Sequence, residues 1–127
     1  TLSGSNNTYS GPTTVSGGTL TVSSTSSLGN SKTITVAGGT LKLLTQSAIL
    51  DTACLLIADG GGAKVTINSG LTETVSGLFF GGKRQRRGTY GAANSGAQYI
   101  DTTHFTAGTS PGVIRVLNGP ESIILVR

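Results

Sequence analysis

Four of the nine basic residues crowd into one stretch, Lys83-Arg84-Gln85-Arg86-Arg87, and this is where the chain could do electrostatic chemistry. Clustered cations release counterions from a polyanion, so phosphate or sulfate groups on lipopolysaccharide, heparin-like glycans or nucleic acid are the ligands that Lys83, Arg84, Arg86 and Arg87 would hold. No aromatic residue interleaves the cluster, as a stacking platform for single strands requires, so no specific nucleic-acid partner is expected. The formal net charge of +4 falls to zero without these four side chains; the excess is local. The plainer reading, a solvated and protease-sensitive turn, is preferred.

The remaining reactive side chains are few. Asp51, Asp59, Glu73 and Asp101 are the carboxylates to test for acid–base pairing, which needs two of them roughly 5–10 Å apart across a cleft. Nothing in the sequence places a pair on one outward strand face. His104 is the single histidine, and a Ser/His/Asp arrangement with Asp101 is formally open. No nucleophile-elbow motif accompanies it, so a surface or packing role is expected. Cys54 has no internal partner and is expected to fill space in the core. Gly60-Gly61-Gly62 lacks the Asp of the glycine-rich calcium repeats, and Asn6-Asn7-Thr8, though a glycosylation sequon, suits a turn or a stacked ladder. The expectation is a non-enzymatic chain with no catalytic, cofactor-binding or metal residues.

These side chains hang on a β-rich framework. Among the 127 residues are 20 Gly and 20 Thr but only two Glu and four Lys, with no Met and no Trp, which disfavours helices and a large globular core. The longest apolar run, Ala53 to Ala58, is six residues, against roughly 18 for a membrane span. Shifting the chain by 21 residues lays Thr14-Val15-Ser16-Gly17-Gly18-Thr19-Leu20-Thr21-Val22 over Thr35-Val36-Ala37-Gly38-Gly39-Thr40-Leu41-Lys42-Leu43. Weaker copies are Gly61 to Ile67, an echo at Thr74-Val75-Ser76-Gly77-Leu78, and Pro111 to Leu117. A period of this length marks a solenoid, whose copies stack roughly 4.8 Å apart. Within the copies Leu20 and Val22, Leu41 and Leu43, Val65 and Ile67, and Ile114 and Val116 share one face. Thr19, Thr21, Thr40, Lys42, Lys64, Thr66 and Arg115 share the other. The Gly-Gly pairs suit corners that need positive φ and no obstructing Cβ. A sandwich or barrel would use similar strands but has no reason for the repeat spacing. About five to six coils of a parallel β-helix fit the chain.

The stretch from Leu2 to Val22 closely resembles the autotransporter-associated β-strand repeat. Leu2, Gly4, Asn7, Tyr9, Gly11, Thr13 or Thr14, Val15, Gly18 and Leu20 fit its pattern. The half from Ala53 through Phe79-Phe80-Gly81-Gly82, Gly88-Thr89-Tyr90-Gly91 and Tyr99-Ile100-Asp101 is similar to segments that follow such repeats in large secreted bacterial proteins. The resemblance implies an all-β, right-handed parallel β-helix in the extracellular, passenger-like part of a bacterial surface protein. It implies structural or adhesive duty and carries no catalytic residue over. The basic turn departs from the pattern. The chain is also short for a passenger and no translocator barrel follows it, so a fragment or a small secreted relative is expected. With no signal-peptide n-region at Thr1, any signal peptide is expected to have been removed.

One solenoid domain then divides into repeat-matching coils (1–52), further coils and the basic turn (53–87), a Gly-rich excursion packed by Tyr90, Tyr99 and Phe105 (88–110), and a last coil with the C-terminal strand (111–127). A solenoid end shows unpaired backbone groups unless it is covered. Neither end reads as a polar cap, so Thr1 and Leu2 are expected to meet Ile123, Ile124, Leu125 and Val126 of another copy, a head-to-tail contact that grows a filament. The partners expected are therefore copies of the same chain or neighbouring repeats, with surface glycans as the ligand of the basic turn.

Overall fold

The computed structural model describes residues 11–22, 31–45, 49, 51–106 and 112–119, and the described residues are all β, with no helix. Each of the first two coils contributes a pair of short strands: β1 (Thr13–Val15) and β2 (Thr19–Val22), then β3 (Thr33–Val36) and β4 (Thr40–Leu43). The third level holds β5 (Cys54–Ile57), β6 (Lys64–Ile67) and β7 (Thr72–Val75). The chain continues through β8 (Gly77–Phe80), β9 (Lys83–Arg84), β10 (Gly88–Gly91), β11 (Tyr99–Ile100) and β12 (Val113–Val116).

Strands β1 to β6 do not pair within a level; each pairs in parallel with its counterpart one repeat away. Sheet order is β1-β3-β5-β8-β9 on one side, β2-β4-β6 on the second and β11-β10-β12-β7 on the third. This arrangement is compatible with a β-solenoid. The register between the first two coils is the 21-residue one, with Thr14 opposite Thr35 and Leu20 opposite Leu41. Parallel pairing at constant register turns period-two alternation into vertical stacks. Val15, Val36, Ile57 and Phe80 form one, and Ile34, Leu55 and Leu78 another. Leu41 and Val65, and Val22, Leu43 and Ile67, fill the second sheet. These inward residues are buried, and each contributes about 1.5–3 kcal/mol of transfer free energy.

The corners explain the glycine pairs. Gly18 and Gly39 hold φ of 66° and 69°, in the left-handed region that a Cβ disfavours. A Cβ on Gly39 would also collide with the backbone of Gly17 and Gly18 in the level before. Thus the Gly-Gly step meets both demands expected of it.

Three sequence readings change in the structure. The echo at Thr74-Val75 does not stack over Thr14-Val15: β7 belongs to the third sheet, and it is Gly77–Phe80 that continues the β1-β3-β5 column. Likewise the copy at residues 111–117 lies on β7, not on β6, whose next neighbour is Phe105 through a parallel bridge to Val65. Thirdly, Cys54 is half-buried on the outward side of β5, because strand alternation gives the interior to Leu55 and Ile57.

Candidate functional site

After Phe80 the chain leaves the parallel columns, and the residues with chemistry gather here. β9 folds back antiparallel on β8, with Phe79 opposite Arg84 and Phe80 opposite Lys83. β10 then runs antiparallel along β12, with Thr89 opposite Arg115, and β11 adds in parallel outside β10. Two outer edges, those of β8 and β12, are thereby covered by antiparallel strands of the excursion. The excursion's departure begins within the basic segment, and the chain is back on a column at Phe105.

His104 is the pivot of the return. It is 5% exposed and lies flat on Phe80, with ring centroids 4.0 Å apart and 4° between planes. Its Nδ1 faces Oδ2 of Asp101 at 2.9 Å and its Nε2 faces Oδ1 of Asp59 at 2.8 Å. Two carboxylates accept at the two nitrogens, so the doubly protonated ring donates to both, and a neutral ring donates to one. Both ring nitrogens thus face carboxylate oxygens, and among the described residues neither meets a hydroxyl. Asp101 is fixed in turn: its Oδ1 accepts from the backbone N–H of Thr103 at 2.8 Å and of His104 at 2.7 Å. Asp59 sits at the end of the strand below, and Gly81 leaves it room, since a Cβ there would run into the Asp59 carboxylate. Lys64 Nζ donates to the carbonyls of Thr102 and Thr103 at 3.2 and 2.6 Å, and the N–H of Val65 donates to the His104 carbonyl at 2.8 Å.

The aromatic residues of the excursion pack as the sequence suggests. Tyr90 is buried, its ring stacked on Tyr99 at 4.8 Å and edge-on to Phe80 at 5.8 Å, while its hydroxyl donates to the Arg86 carbonyl at 2.9 Å. Phe105 is buried against Phe80 at 6.0 Å.

The basic side chains Lys83, Arg84, Arg86 and Arg87 are all exposed. Lys83 and Arg84 stand in strand β9 of a hairpin, and Arg84 lies over the Phe79 ring with its Cζ 5.7 Å from the centroid. Sequence reasoning missed a fifth member, Arg115 on β12, which shares with Arg87, Thr89 and Gln98 a groove of about 510 Å³. It also missed the partnership of Asp59 with His104, which lie 45 residues apart. No repeat register connects those two positions, and only a matching insertion length could have hinted at it. Of the other carboxylates, Asp51 is exposed, and Glu73 occupies an inward position of β7, 1% exposed, opposite Ile114. Thr1, Leu2, Ile123, Ile124, Leu125, Val126 and the Asn6-Asn7-Thr8 sequon lie outside the described residues. Among the described residues no group of three His, Cys, Asp or Glu is arranged to hold a metal ion, and no helix is long and apolar enough to cross a membrane.

Residues 1–22 match the family model of the passenger-associated-transport repeat. The match falls on the stretch whose residues carry the resemblance to autotransporter repeats. No match was found among curated proteins or among solved structures. A passenger-associated-transport repeat implies a bacterial secreted or surface protein of autotransporter type, and the 22 matched residues include β1 and β2.

Proposed function

We propose that this chain is a non-enzymatic structural module of a bacterial autotransporter passenger, a right-handed parallel β-helix that serves as a stalk, extended on the β1 and β2 side and blunted at the other. The observation that carries the reading is the asymmetry of its two sides. Among the described residues β1 and β2 have one neighbouring strand each, whereas at the other end β9 and β10 take the outer edges of β8 and β12, and the edge of β6 meets Phe105 through a single bridge at Val65. Antiparallel cover of this kind blunts a sheet edge that would otherwise recruit another chain. End-to-end stacking through those edges, the filament expected from the sequence, would first have to displace β9 and β10. The module reading does not require that step. The test is light scattering behind size exclusion across a wide concentration range. The intact chain is expected to run at one size throughout, and removal of residues 83–100 is expected to expose β8 and β12 and cause self-association. Filaments grown from the intact chain would restore head-to-tail stacking as the function.

A second reading, retention of a polyanion at the basic turn, gains support from one specific observation. The fold sets Arg115 beside the turn, in a groove with Arg87, so the cationic surface is wider than the five-residue segment. Sulfated glycan would then bind in a salt-dependent way. Retention on immobilised heparin is expected to drop when Lys83, Arg84, Arg86, Arg87 and Arg115 are changed to Gln. Flow-through of the unmodified chain at low salt would remove this reading.

A further inference from the structure

A separate cavity of about 310 Å³ has a lining that includes Phe80, Gln85, Arg86, Tyr99, Ile100 and Asp101. We propose that it is a carbohydrate subsite that takes one pyranose ring of a neutral glycan. The chemistry of the walls selects this class. The apolar part comes from Phe80, from Tyr99, whose ring stacks on Tyr90, and from Ile100, 54% exposed. Arg86, Gln85 and Asp101 supply the polar part of the lining, with the Gln85 amide donating to the Lys83 carbonyl at 2.9 Å. A wholly apolar ligand would desolvate Arg86 and Asp101 without replacing their hydrogen bonds, which is costly. A simple anion or cation would meet one partner and one like charge. A sugar ring fits both halves, with a C–H face for the Tyr99 ring and a hydroxyl edge that both donates and accepts. Asp101 is prepared for the accepting part: Oδ1 already takes two backbone N–H groups, while Oδ2 takes only the His104 contact and keeps a second lone pair. The His104 clip holds that carboxylate still, and such preorganisation favours a small ligand with few contacts. Pockets of this size, aromatic with a few convergent polar groups, are the usual form of a small-ligand site.

The site does not depend on the stalk reading or on polyanion binding, and the test separates it from both. The probes are the neutral methyl glycosides of glucose, galactose, mannose and N-acetylglucosamine, titrated into the full chain. Saturation-transfer NMR reads the sugar C–H protons, and intrinsic emission reads the three tyrosines, since the chain has no Trp, with the Tyr99 variants assigning the change to Tyr99. At least one probe is expected to saturate, insensitive to added salt, with Kd raised about tenfold or more by Tyr99→Ala and nearly unchanged by Tyr99→Phe. Since Tyr99 also braces Tyr90, Arg86→Gln is the second variant: its exposed side chain lies outside that stack, and it is expected to weaken binding with the circular dichroism spectrum unchanged. Absence of saturation with every neutral probe would overturn the proposal. So would binding indifferent to both variants, or binding confined to charged sugars and abolished by salt, which would reassign the ligand to the basic groove.

Discussion

The columns built by β1 to β8 and the excursion between Gly81 and Thr103 are made in opposite ways. In the columns neighbouring strands are one repeat apart in sequence, and the stacked residues are interchangeable aliphatics such as Ile34, Leu55 and Leu78. In the excursion each contact is particular: His104 with Asp59 and Asp101, Lys64 with two carbonyls, Tyr90 with Tyr99. A column tolerates any sequence that keeps the alternation, because its stability is the sum of many similar burials. The excursion has few buried apolar side chains of its own and is held by directional bonds, so it depends on residue identity.

The sharpest way to break this contrast is at a column centre. Leu55 is fully buried between Ile34 and Leu78, and Leu55→Ala is expected to destabilise the whole chain by about 2–5 kcal/mol, read from urea unfolding. A loss confined to one end would show that the columns do not unfold as a unit. Next comes Gly39→Ala, which places a Cβ at φ 69° against the backbone of Gly18. Left-handed strain alone costs about 1–3 kcal/mol, and the resulting shift in the urea midpoint should exceed that of Gly62→Ala, where φ is also positive but no atom stands nearby.

On the excursion side, His104→Ala removes the Phe80 stack and both carboxylate contacts, an expected cost of about 1–3 kcal/mol. Its effect should be local: trypsin should cut at Lys83 to Arg87 much faster, while hydrogen exchange in β3 to β5 stays slow. His104→Phe, which keeps the stack, should be intermediate. Equal loosening of β3 to β5 would mean that the two regions are one cooperative unit. The smallest effect is predicted for Lys42→Thr on an outward position of β4, within about 0.5 kcal/mol of the parent. A larger change there would deny that outward column residues are interchangeable.

How far the molecule was legible follows the same division. The register of β1 with β3 and of β2 with β4 could be read from identical letters at a fixed offset, because a parallel column forces like residues to the same height. Lys83, Arg84, Arg86 and Arg87 could be read as exposed, since four adjacent cations have nowhere to be buried. The copies at Thr74 and Pro111 are legible as repeats of the motif, but the columns they join are not. β7 lies on a third sheet that the first two coils do not announce, and the excursion resets the count before β12. Cys54 was misplaced by one position of alternation, a step that exchanges inside for outside.

By itself the sequence determined the all-β character, the coil repeat and the glycine corners, because each follows from local rules: β-branched propensity, period-two burial, and the freedom of Gly at positive φ. Only the tertiary structure decided that the outer edges of β8 and β12 are covered, that Arg115 joins the basic groove, and that Asp59 reaches His104 across 45 residues. Those outcomes depend on where an irregular segment returns to the columns, and no periodicity in the chain encodes the path of a segment that does not repeat.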